Sequence, residues 1–155
     1  MSTLNPLLPS GPSRSAERLG QAGLIPFVAG ALLIWLVSDE ALPYVAAALA
    51  AYGAVIVSFL GGIYWGWVMA RDPSTLAEAD SRSALWWGVC PSFMAWVGVM
   101  MPPHAGLVVL GLALLSCYLV DRRRYEAAGH GLWLTLRFRL TAVAMLCCFL
   151  GAAGV

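Results

Sequence analysis

The chain is predicted to be an all-α integral membrane protein, a five-transmembrane-helix bundle with the N-terminus inside and the C-terminus outside. Three observations predict it. Of its 155 residues, 61% are hydrophobic and only 11% charged, with a mean hydropathy of +0.80, whereas a soluble domain is about a quarter charged. The apolar residues fall into five runs, each near the ~20 residues needed to cross a bilayer. All nine basic residues are arginines, and they occupy alternate gaps between those runs: Arg14 and Arg18 before the first, Arg71 and Arg82 between the second and third, and Arg122, Arg123, Arg124, Arg137 and Arg139 between the fourth and fifth. Cationic loops resist translocation and stay on the cytoplasmic side, so an odd number of crossings satisfies every arginine at once. This implies one membrane domain, residues 19–155, with short loops and no second folded domain.

Residues 1–18, with Pro6, Pro9 and Pro12, lack the apolar stretch of a signal peptide and read as a flexible tail. Span one covers about 21–37, is interrupted by Pro26, and ends at an acidic outer loop containing Asp39 and Glu40. Span two covers about 43–70 and opens with Pro43, a residue suited to a first helical turn. At ~1.5 Å per residue it exceeds the ~30 Å hydrocarbon core, so it must tilt or protrude. Span three, about 84–101, contains Pro91, which frees the carbonyl of Trp87 and predicts a kink, with Ser92 helping to satisfy it. The short outer turn at Pro102, Pro103 and His104 makes spans three and four antiparallel neighbours. Span four covers about 105–120, and Asp121 through His130 read as an inner loop. Span five, about 134–154, starts in an interfacial stretch where Arg137 and Arg139 snorkel to the headgroups.

Within span two, Ala46, Ala50, Ala54, Ser58, Gly62, Gly66 and Ala70 set a small residue at every fourth position. Small residues at that spacing let helix backbones approach closely, so Ala54, Ser58, Gly62 and Gly66 are the expected helix-packing positions. A row of period four drifts by about 40° per step around an α-helix, which implies contact with more than one neighbour and a central place for this helix. Tryptophans and tyrosines gather at the inner ends, as an interfacial belt does. The same rings suggest an inner cavity at Tyr64, Trp65, Trp87 and Ser92.

No ionisable residue falls in the middle of a span, which disfavours a proton or ion pathway. His104 and His130 lie on opposite sides of the bilayer and cannot share a metal or a haem iron. The four cysteines form no CxxC spacing and read as packing residues, and no phosphate loop, HExxH or GxSxG occurs. Hence no catalytic, cofactor-binding or metal-ligating residue is expected, and with a net charge of +1 no nucleic-acid surface either. Arg122, Arg123, Arg124, Arg137 and Arg139 are candidate contacts for lipid, including anionic lipid, or for a protein partner.

The stretches LGQAGLIPF (19–27), YGAVIVSFLGGIYWG (52–66), PSFMAW (91–96), DRRRY (121–125) and LRFRLT (136–141) carry a resemblance. Together they resemble a multi-pass membrane family of proteobacteria, classed as a domain of unknown function, that includes the mitochondrial transmembrane protein 69. The resemblance sets histidine at the position of Tyr64, so any ligand role there in relatives is not implied for this chain. It implies membership rather than mechanism. The expected function is that of a small non-catalytic protein of the bacterial inner membrane, an accessory, assembly or stabilising partner of a larger, energy-transducing complex. The alternative is a carrier or sensor of an apolar ligand such as a lipid, quinone or porphyrin in an inner-side cavity.

Overall fold

The computed structural model describes residues 11–71, 77–127 and 131–155, and among them every regular element is an α-helix. The first ten residues of the expected tail, part of the loop between spans two and three, and His130 lie outside the described residues. In chain order the helices are α1 (Arg14–Ala22), α2 (Ile25–Ile34), α3 (Leu42–Met69), α4 (Glu78–Met100), α5 (Pro103–Ala127) and α6 (Gly131–Ala153). Helices α1 and α2 together make the first of five segments long and apolar enough to cross a membrane.

The first helix begins at Arg14, inside the expected tail, because Ser13 caps it: its hydroxyl accepts from the Ala16 amide at 3.2 Å. The chain breaks between α1 and α2 where Pro26 lacks the N–H that would reach the Ala22 carbonyl. Pro26 thus opens α2 rather than kinking a single helix. At the break the Tyr52 hydroxyl of α3 donates to the Gly23 carbonyl at 2.9 Å, and its ring meets Phe27 edge-on with centroids 5.1 Å apart.

Helix α3 is the central element, packing against α2, α4, α5 and α6, while α1 touches the rest of the bundle through α6. Phe27, Val57, Leu107, Leu110 and Leu114 are fully buried between α2, α3 and α5. Outward, Trp86, Phe93, Trp96 and Met100 on α4 are largely exposed, as befits side chains solvated by lipid.

Two close approaches fix the position of α4. A Cβ on Gly61 would fall inside the van der Waals contact of the Gly88 carbonyl oxygen, and a Cβ on Gly106 would do the same to Gly98. The α3–α4 crossing therefore sits one residue before the expected row. Gly62 and Gly66 are exposed, and a Cβ at either meets nothing within 4 Å. The reason is the drift of a period-four row: Ala46 and Ala50 are buried, but three further steps rotate the row by about 120°, off the packed face. The buried face instead follows the helix repeat through Gly53, Val57, Leu60, Gly61 and Tyr64. Ala54 is half-buried against the core, and Ser58, one turn further along α3, is half-buried too.

Helix α4 runs unbroken through Pro91, whose ring packs near Gly61. It starts six residues earlier than expected, and Glu78 and Asp80 in its first turn face the positive end of the helix dipole. Helix α5 continues to Ala127, seven residues past the expected end, so Asp121 is helical rather than part of a loop. Helix antiparallelism places the ends bearing Arg14, Arg18, Arg71, Arg82, Arg122, Arg123, Arg124, Arg137 and Arg139 together at one end of the bundle.

Candidate functional site

The buried stripes of three helices converge at the arginine-bearing end. On α5 the stripe is Leu107, Leu110, Leu114, Cys117 and then Asp121; on α3 it is Val57, Leu60 and then Tyr64; on α6, read backwards, it is Cys148, Ala144, Thr141 and then Arg137. The spacings of three and four are those of one helical face. Each helix thus delivers one polar side chain to a common point.

There, the Tyr64 hydroxyl donates to Asp121 Oδ1 at 2.5 Å, and Arg137 Nε donates to Asp121 Oδ2 at 2.9 Å. Arg137 Nη2 pairs with the same Oδ2. Asp121 is only 4% exposed, and the Arg137 side chain is nearly as enclosed. Both carboxylate oxygens are engaged, which is the condition for burying a charge at tolerable cost. From the next turn of α5, the Arg124 guanidinium lies 4.8 Å from the centroid of the Tyr64 ring.

This network corrects the expectation for Arg137, which is an internal partner of Asp121 rather than a snorkelling surface cation. Arg124 is half-buried against Tyr64, whereas Arg122, Arg123 and Arg139 are exposed. Arg71 stacks over Trp67, 4.2 Å from its ring centroid.

The expected inner cavity does not form as a unit. Tyr64 points into the polar network, Trp65 lies across α4 with Nε1 donating to the Leu85 carbonyl at 3.2 Å, and Ser92 is half-buried further along α4. The Trp87 Nε1 is buried and has no hydrogen-bond partner among the described residues.

A cleft of about 400 Å³ lies on the other side of α3, between α1, α2, α3, α5 and α6. Its walls are Ala16, Leu19 and Gly20 of α1, Phe27 of α2, Ile56, Phe59, Leu60 and Ile63 of α3, Leu114 of α5, and Trp133, Leu136, Arg137, Leu140, Thr141 and Ala144 of α6. None of Tyr64, Trp65, Trp87 and Ser92 lines it. Sequence reading missed this cleft because the break at Gly23 and Leu24, which sets α1 at the rim, is invisible to hydropathy. A shallower cleft, about 380 Å³, lies between Trp65 of α3 and Glu78, Arg82 and Trp86 of α4.

Among the described residues no three His, Cys, Asp or Glu side chains are grouped to hold a metal. His104 is exposed in the first turn of α5; Cys90 is exposed, while Cys117, Cys147 and Cys148 are buried free thiols.

The profile of the family described as "Protein of unknown function (DUF3429)" matches residues 12–153, which take in all six helices. The chain belongs to the DUF3429 family. It is similar to "Transmembrane protein 69" of Xenopus tropicalis, 38% identical over 109 residues, which are 68% of this chain and 42% of that protein. Against "Transmembrane protein 69" of Mus musculus it is 33% identical over 123 residues, covering 73% of this chain and 46% of the relative. The chain therefore spans less than half the length of these relatives. No solved structure matches it. The name of these relatives and the five membrane-length helices agree on a multi-pass transmembrane protein.

Proposed function

We propose that this DUF3429 member is a non-catalytic bundle of the bacterial inner membrane that serves as an accessory or stabilising partner of a larger membrane complex, with its arginine-bearing end in the cytoplasm. The observation that carries this reading is the closure of the Tyr64–Asp121–Arg137 network. General acid–base work needs a titratable group within reach of a substrate, and here the buried carboxylate is held by two neighbouring helices. A staple of that kind suits a fixed scaffold. The exposed Arg122, Arg123 and Arg139 at the same end supply contacts to anionic lipid or to an acidic partner surface.

The test is purification in mild detergent with a tag on the chain, followed by size-exclusion chromatography and a reciprocal purification through the co-eluting component. A stoichiometric complex recovered from both directions is the expected result. Recovery as a lone monomer from both would defeat the accessory reading. A second reading is favoured by the 400 Å³ cleft, which falls in the ~300–1,000 Å³ range of ligand pockets: the bundle holds an apolar ligand between α1 and α3.

A further inference from the structure

We propose that the cleft between α1, α3 and α6 is a binding site for one acyl chain of an anionic phospholipid, with the headgroup at the arginine-bearing end. The proposal rests on the second reading above and names its ligand.

The shape argues for a chain. Along α6 the lining runs from Trp133 to Ala144, about 16 Å at the helical rise, and along α3 from Ile56 to Ile63, about 10 Å. The cleft is thus elongated along the bundle axis, as an acyl chain in a leaflet is. Its walls are apolar except at Arg137 and Thr141 on α6, with the Trp133 indole at the inner rim. No histidine, cysteine, methionine or carboxylate lines it, so it offers no axial ligand to a porphyrin iron.

Charge argues for an anionic headgroup. Among the described residues the arginine-bearing end carries all nine arginines against the carboxylates of Glu17, Glu78, Asp80 and Asp121, whereas the other end carries only Asp39 and Glu40. On α1, Ala16, Leu19, Gly20 and the adjoining Gly23 face the cleft, while Arg14, Glu17 and Arg18 are exposed beside them. Arg139 is exposed next to Leu140 of the opposite wall. Arg14, Arg18 and Arg139 are thus each within two residues of a cleft-lining position, with Glu17 the one carboxylate among them. Helix α1 rests on α6 through Gly20 against Leu140 and forms one wall of the cleft.

The experiment uses the full-length protein, stripped of lipid in detergent, titrated with phosphatidylglycerol or phosphatidylethanolamine and read by native mass spectrometry. One phosphatidylglycerol per chain is expected, bound about tenfold more tightly than phosphatidylethanolamine. Ile63→Trp fills the cleft from α3 and Ala16→Trp fills it from α1; each is expected to weaken binding by about tenfold. Val97→Trp, on the exposed face of α4, leaves it unchanged. Replacing Arg14 and Arg18 together by glutamine removes the preference for phosphatidylglycerol while apolar binding persists. Each variant is scored only after its melting temperature matches that of the parent, and two filling variants on separate helices guard against a single misfolded one. Equal binding of the two lipids, or undiminished binding in both filled variants, overturns the proposal. If a neutral quinone saturates the stripped protein and Ile63→Trp expels it, the apolar-ligand reading stands and the phospholipid proposal falls. If neither lipid nor quinone binds, both fall.

Discussion

What an added methyl group would meet distinguishes Gly61 from its neighbour Gly62. On Gly61 it would collide with the backbone of α4 at Gly88, which can yield only if the two helices part; on Gly62 it meets open space. Gly61→Ala is therefore expected to destabilise the bundle by about 1–3 kcal/mol, the usual cost of overpacking. Gly62→Ala should be neutral or stabilising by up to about 1 kcal/mol through helix propensity. Thermal unfolding in detergent, compared for the two variants, checks the pair; equal effects would place the crossing elsewhere. The small-residue row in the sequence named Gly62 and Gly66, whereas the close approach falls at Gly61; two adjacent glycines leave the register open, and only the partner helix resolves it. The same scale governs the polar staple. Arg137→Met leaves Asp121 as a buried, half-satisfied charge and should cost about 3–5 kcal/mol, whereas Asp121→Leu combined with Arg137→Met removes both charges and should recover most of that loss. A double-mutant cycle on melting temperature reads this, and a double variant no better than Arg137→Met would show that the pair does more than satisfy itself. Tyr64 and Asp121 were individually visible in the sequence. Their meeting was not, because hydropathy ends α5 at Val120 while its buried stripe continues one more turn.

Hydropathy locates a helix by what lipid tolerates, whereas its ends are set by hydrogen bonds, and the two criteria part company at α4, α5 and the first span. Spans two and five were legible to within about three residues because their apolar runs coincide with their helices. Helix α5 outlasts its apolar run, since Asp121 finds partners and Arg124 sits in the last turn, where the helix dipole favours a cation. The first span divides because Pro26 removes one donor, and α3 repairs part of the damage through the Tyr52 hydroxyl on Gly23. Tyr52→Phe keeps the ring against Phe27 and deletes only that bond. It should lower stability by about 1 kcal/mol and raise amide exchange selectively between Gly23 and Phe27, with the α5 core unaffected. Hydrogen exchange with fragment resolution measures this; uniform loosening along α2 would instead mean that the Tyr52 hydroxyl holds the whole helix, not just the break.

At the scale of the whole molecule, the distribution of charge predicts an orientation. With nine arginines at one end and two uncompensated carboxylates at the other, the bundle is a dipole laid across the membrane. Arginines near span ends stay on the cytoplasmic side during insertion, while carboxylates weigh little. If that rule sets the orientation here, an odd number of crossings puts Val155 outside. A phosphatase fused after Val155 is expected to be active and a fluorescent protein there dark, with the opposite pattern for fusions after Arg71. The outer loop at Ser38, Asp39 and Glu40 is the place to challenge the rule, because it lies between two spans and bears no cation. Replacing Asp39 and Glu40 by arginine sets three cationic gaps in succession and frustrates the first span. If the arginine pattern governs insertion, the variant should show mixed reporter activity at Val155 or lose the first span from the membrane; an unchanged, uniform topology would mean that packing of α2 against α3 and α6 fixes orientation and that the arginines merely accompany it.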